Sequence, residues 1–364
     1  MNPNTKALHQ LGQSLWLDNI TRRLLDDGTL ASYIADLSVT GLTSNPTIFE
    51  HAIGHGNDYD TAITELARDR HSTIEQIFFA LAIDDLQRAA DLLRPAFDAS
   101  DGVDGWVSLE VSPLLADDAP KTIEAAADLH ATAARENLFI KIPGTAAGLA
   151  AIEASIFAGI PVNVTLLFSR EQYLAAADAY LRGIERRIEA GLDPKVGSVA
   201  SLFISRWDVA ANKEVPKELH NRLGIAIAGV TYRAYRDLLA SDRWQALADA
   251  GAQPQRLLWA STGTKDPAEP DTLYVKALAA PDTINTMPEK TLHAYADHGR
   301  ASEPLAVDGG DADTVLQTFT QTGIDTDALA ARLQREGAES FSGSWQALLK
   351  QIEAKCPPVA EATP

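Results

Sequence analysis

The chain has a single cysteine, Cys356, among 364 residues, so it can form no internal disulfide. That is the economy expected of a protein in a reducing cytoplasm. It also lacks an apolar run near the roughly 20 residues that span a bilayer. Residues 1–10 carry no basic segment followed by an apolar core, so no secretory signal and no membrane partner are expected. Positive charge is short as well: 31 Lys and Arg stand against 50 Asp and Glu, for a formal net charge of −19. A phosphate backbone needs a basic footprint, which excludes nonspecific nucleic-acid binding. Residues 144–148 match neither a P-loop nor a dinucleotide fingerprint. They read as a strand-to-helix turn with Thr145 near the N-cap. His51 and His55 are spaced i, i+4, but lack a third ligand and a glutamate between them, so they read as surface histidines rather than zinc ligands.

The composition that remains is ordinary for a globular protein, with 46% hydrophobic residues. Short β-branched runs alternate with amphipathic Ala/Leu-rich stretches, the pattern of a parallel α/β protein. Strands are expected at 14–18, 39–45, 105–112, 138–143, 161–168, 199–205, 256–261 and 283–287. Eight strands with helices between them suit a (β/α)8 TIM barrel with additional helices, an open doubly wound sheet being the alternative. Helices are expected at 72–93, opened by a capping box from Ser72 to Glu75, and at 119–135, 170–190 after the N-cap Ser169, and 218–239. Two or three helices should fill 46–104, and more should follow 311. Residues 1–356 read as one domain. The Pro/Ala/Glu-rich stretch 357–364 reads as a disordered tail.

Lys141 is the most informative residue, because it interrupts the apolar run 138–143. A primary amine buried in a strand is costly unless something pairs or uses it. Burial also favours the neutral amine, a nucleophile able to form a Schiff base with a ketone. Successive strand residues face opposite ways. If Leu138, Ile140 and Ile142 face the helices, Lys141 and Phe139 point into the barrel. By the same phase Ser108 and Glu110, Asn163 and Thr165, Ser201, Phe203 and Ser205, and Asp18 point inward. Asn45 shares the phase of Thr43. Each strand thus sends a polar residue inward near its C-terminal end, where barrel enzymes keep their sites. Taken one at a time, these residues have plainer readings. Lys141 could be a structural lysine paired with Glu110 or Asp18. Asp18 could cap a helix beginning near Ile20, Asn45 could be a turn residue before Pro46, and Arg206 could pair with Asp208 or a surface carboxylate. A glycosidase pair of Asp18 and Glu110 would leave Lys141 without a role.

In order along the chain, Leu17-Asp18-Asn19, Thr43-Ser44-Asn45-Pro46, Ser108-Leu109-Glu110-Val111, Ile140-Lys141-Ile142-Pro143, residues 163–169 and residues 201–206 resemble the transaldolases, in particular their longer bacterial branch. The resemblance implies a pentose-phosphate-pathway transferase on a (β/α)8 barrel. It would move a dihydroxyacetone unit between sedoheptulose 7-phosphate or fructose 6-phosphate and the aldehydes erythrose 4-phosphate and glyceraldehyde 3-phosphate, with no metal or organic cofactor. Position by position, Lys141 resembles the Schiff-base lysine and Asp18 the acid/base. Glu110 and Thr165 match the pair that holds a catalytic water. A water is also expected to separate Glu110 from Lys141, weakening the carboxylate's hold on the ammonium form. Asn45, Asn163 and Ser201 match the residues that bind the dihydroxyacetone portion, beside Phe203. Arg206 matches a phosphate arginine. The shorter members of the family place a second arginine in an Ala-Ser-x-Arg pattern. Here Ala260 and Ser261 match, Gly263 takes the arginine's place, and Lys265 is expected to reach the phosphate instead. Two rivals are a fructose 6-phosphate aldolase that releases dihydroxyacetone, and a silent sugar-phosphate-binding barrel. Glu110 favours the transferase, since those aldolases carry glutamine there. Monomer and homodimer are both open.

Overall fold

A computed structural model describes residues 1–300 and 303–357. Its eight strands are β1 (Ser14–Leu17), β2 (Val39–Leu42), β3 (Val107–Glu110), β4 (Leu138–Pro143), β5 (Val162–Leu167), β6 (Ser198–Phe203), β7 (Gln255–Ala260) and β8 (Thr283–Met287). All neighbours pair in parallel, in the order β2-β1-β8-β7-β6-β5-β4-β3. A bridge from Gly41 to Trp106 joins β2 to β3 and closes the ring. This is the expected (β/α)8 barrel, with extra helices.

Most strands stop short of the expected ends. Asp18, Thr43, Ser44, Asn45, Ser205 and Ser261 lie just past the ladders, where the chain turns at the barrel mouth. Three helices fill the stretch before β3: Pro46–Gly54, Asp60–Leu66 and Ile74–Ala99. The capping box of the third lies one residue later than expected. Thr73 Oγ1 accepts from Gln76 N, and Thr73 N donates to Gln76 Oε1 at 2.8 Å. The helix also runs past 93 and through Pro95 to Ala99. The expected helix at 218 starts at Leu223, preceded by a 3-10 turn at Lys217–Leu219. Two helices follow residue 311, Ala312–Gln321 and a long C-terminal helix, Thr326–Lys355. Of the expected tail, only Pro357 falls within the described residues.

The N-terminal end of the barrel is sealed by aromatic rings. Trp106 stacks on Phe139 with centroids 3.9 Å apart, and Trp16 lies 6.2 Å from Phe139. Gly41 leaves room for Trp16, since a Cβ there would sit 2.6 Å from the indole. Beneath them the buried Asp104 accepts from Ser14 Oγ and, at 2.8 Å, from Trp16 Nε1; Arg256 bonds the same serine at 2.7 Å. Apolar and paired side chains thus fill one end of the barrel, leaving the polar residues of the other end around a cavity. Among the described residues no helix is long and apolar enough to cross a membrane.

Candidate active site

The inward phase carries Lys141 to the floor of a cavity of about 490 Å³ at the C-terminal mouth. Register puts Lys141 level with Glu110 on β3 and Asn163 on β5. The lysine is only 4% exposed, and its Nζ donates to Ser44 O at 2.9 Å. It also lies 3.1 Å from Glu110 Oε2. The expected water between Glu110 and Lys141 is therefore corrected: adjacent strands in register bring the two groups into direct contact. Glu110 Oε2 has Lys141 as its partner, while Glu110 Oε1 and the Thr165 hydroxyl are buried with no hydrogen-bond partner among the described residues. Burial raises the Glu110 pKa by more than the neighbouring Lys141 ammonium lowers it.

Asp18 follows β1 and does not cap a helix. The next helix, Arg22–Asp26, takes Thr21 as its N-cap. Asp18 Oδ1 instead accepts from Thr43 Oγ1 at 2.8 Å, and Thr43 Oγ1 lies 2.6 Å from Thr286 Oγ1. If Thr43 donates to the carboxylate, Thr286 must donate to Thr43, which gives a directed hydroxyl chain. Burial raises the Asp18 pKa, while Thr43, Lys141, Lys265 and Arg206 act to lower it. Asn45 does cap the Pro46–Gly54 helix, its Oδ1 accepting from Ile48 N at 3.0 Å, and it also lines the cavity.

Thr165, Ser201, Phe203, Arg206, Ser261 and Lys265 line the same cavity. Glu110 and Asn163 lie behind its wall. Asn163 is fully buried; its Oδ1 accepts from Ser201 Oγ at 2.7 Å and its Nδ2 donates to Ser108 Oγ at 3.1 Å. It therefore orients Ser201 from behind. Arg206 does not pair with Asp208, which accepts from Leu223 N, Gly224 N and Tyr274 Oη. Ser261 has φ +56°, and its hydroxyl meets Ser205 Oγ at 2.9 Å. Nζ of Lys265 lies 3.9 Å from where a Cβ on Gly263 would stand, so the lysine folds back over the glycine.

Some lining residues escaped the sequence reading. Thr43 and Thr286 shared the inward phase, so strand alternation was their signal. Phe341 comes from the C-terminal helix, which no periodicity could direct to the cavity. His51 is a surface histidine stacked on His55 with centroids 5.2 Å apart, yet it reaches the cavity rim. Among the described residues no cluster of three or more His, Cys, Asp or Glu could hold a metal ion.

Residues 15–352 match the family described as Transaldolase/Fructose-6-phosphate aldolase. A transaldolase of Mycobacterium marinum is 44% identical over 370 residues, covering 99% of each chain. One from Saccharopolyspora erythraea is 43% identical over 96% of this chain and 97% of its own. One from Thermobifida fusca is 44% identical over 97% and 98%. The chain belongs to the transaldolase/fructose-6-phosphate aldolase family. Within that family its activity is that of a transaldolase, a transferase.

Proposed function

We propose that the enzyme transfers a dihydroxyacetone unit from sedoheptulose 7-phosphate or fructose 6-phosphate to an aldose phosphate through an imine on Lys141. The observation that carries this is the buried Lys141 amine on the floor of a cavity that also presents Asp18, Asn45, Ser201, Arg206 and Lys265. Glu110, 3.1 Å from Nζ, takes the ammonium proton and frees the amine to attack the donor ketone. Loss of water gives the imine. Asp18 then removes the proton of the donor C4 hydroxyl, the C3–C4 bond breaks, and its electrons pass to the imine nitrogen as an enamine forms. The aldehyde leaves, a second aldehyde binds, the enamine carbon attacks it while Asp18 returns the proton, and water hydrolyses the resulting imine to release the new ketose and restore Lys141. Glu110 and Thr165, through the buried Glu110 Oε1 and Thr165 hydroxyl that have no hydrogen-bond partner among the described residues, hold the water that enters and leaves. Ser201 and Asn45 bind the three-carbon unit, with Asn163 setting Ser201. Arg206 and Lys265 take the phosphate. A reducing cytoplasm suits a chain with one thiol.

The test is borohydride reduction with fructose 6-phosphate followed by peptide mass spectrometry. A three-carbon adduct on the Lys141 peptide, absent in Lys141→Ala, is expected. No adduct would point to a silent barrel, and free dihydroxyacetone in place of transfer to erythrose 4-phosphate would point to an aldolase.

A further inference from the structure

The C-terminal helix stands outside the eight βα units, yet it crosses the barrel mouth. Gln334 Nε2 donates to Gly144 O and Leu166 O, each at 3.0 Å, and Thr47 Oγ1 meets Ser344 Oγ at 2.9 Å. Between these anchors the helix brings Phe341 to the cavity and Gly337 to Arg206. The guanidinium carbon of Arg206 lies 5.1 Å from the ring centre of Phe203 and 5.8 Å from that of Phe341. A Cβ on Gly337 would sit 3.1 Å from Arg206 Nη1 and 2.9 Å from Leu166 Cδ2. Among the described residues no carboxylate forms an ion pair with Arg206, and Asp208 on its own helix is occupied elsewhere.

We infer that Phe203 and Phe341 form an aromatic clamp that orients Arg206 without using its N–H donors, with Gly337 giving the guanidinium edge its room. The C-terminal helix thereby selects for phosphorylated sugars. The physical reason is that an arginine held by a carboxylate arrives at a phosphate already neutralised. Ring faces attract the cation and leave all five donors available. Phe203 belongs to the barrel, whereas Phe341 is supplied by a helix more than 130 residues later in the chain, so the clamp closes only when that helix docks. Phe341 is then a positioning residue acting through Arg206. This inference rests on the reading of Arg206 as the phosphate ligand.

The experiment measures KM for fructose 6-phosphate, the competitive inhibition constant of inorganic phosphate, and KM for unphosphorylated fructose, with unphosphorylated erythrose as acceptor throughout, so that either donor yields a seven-carbon ketose. Phe341→Leu keeps an apolar side chain and removes the ring face. It is expected to raise the first two constants together by about five- to tenfold, with a much smaller effect on kcat and on fructose. Phe341→Tyr keeps the face and should restore both constants. Gly337→Ala crowds Nη1 from the other side and should raise the same two constants, so the inference remains testable if one variant folds poorly. Arg206→Ala separates the two layers of the argument. If it weakens phosphate binding selectively while neither Phe341→Leu nor Gly337→Ala does, the clamp is wrong and the phosphate reading stands. If Arg206→Ala weakens fructose and fructose 6-phosphate equally, the phosphate reading fails and the clamp falls with it.

Discussion

Asp18 and Glu110 are both carboxyls raised by burial, but each is steadied by a different neighbour. Thr43 donates a hydrogen bond to Asp18, which favours the charged form. Thr43→Val removes that donor. A hydrogen bond to a charged group is worth about 1.5–3 kcal/mol, so the acid limb of kcat/KM should move to higher pH by about one to two units. Thr43→Ser should leave the limb in place. A profile unmoved by Thr43→Val would take the hydroxyl out of Asp18's control. At Glu110, replacement by glutamine removes the group that accepts the Lys141 proton. Adduct formation in a single turnover should slow by about 100-fold or more, the usual worth of a proton-transfer group. An unchanged rate would remove Glu110 from the mechanism.

The helices depend on a few buried side chains. Trp345 fixes the C-terminal helix against Phe78 and Phe79, at centroid distances of 4.9 and 5.6 Å. Trp345→Ala should cost about 3–5 kcal/mol in denaturant unfolding. A loss below about 1 kcal/mol would mean that the helix docks through its polar anchors alone. Asp208 ties the Ser205–Ala211 helix, which carries Arg206, to the start of the Leu223–Ala240 helix and to Tyr274. Burial pushes its carboxyl up to about 6. The folded protein therefore holds a proton at Asp208 that the unfolded chain, titrating near 4, has already lost. The stability from this group is complete below pH 4 and disappears as pH rises through 6. It amounts to about 3 kcal/mol. Asp208→Asn should flatten that part of the stability–pH curve, and an identical slope in the variant would overturn the assignment.

Over the whole molecule, residues 1–356 are expected to unfold as one unit, because the C-terminal helix packs into the same apolar core as the barrel. Loss of adduct-forming activity and loss of far-ultraviolet circular dichroism should share one midpoint in urea; separate midpoints would divide the chain into independent parts.

All eight strands were legible because parallel strands buried on both faces read as short β-branched runs. The candidate site was legible because strand alternation assigns each polar residue to a side without any three-dimensional information. What alternation cannot supply is distance. It aimed Glu110 and Lys141 into one barrel, but only the register of β3 against β4 brings them to 3.1 Å. Nor can it show that Asn163 ends up behind Ser201, or that Asp208 turns away from Arg206. Local pattern determined the fold class, the inward set and the lysine, since these depend on periodicities of a few residues. Tertiary structure alone decided which oxygens face the amine and which ring, brought in by a helix far along the chain, closes on Arg206. Those contacts join residues from dozens to more than a hundred positions apart, where periodicity carries no information.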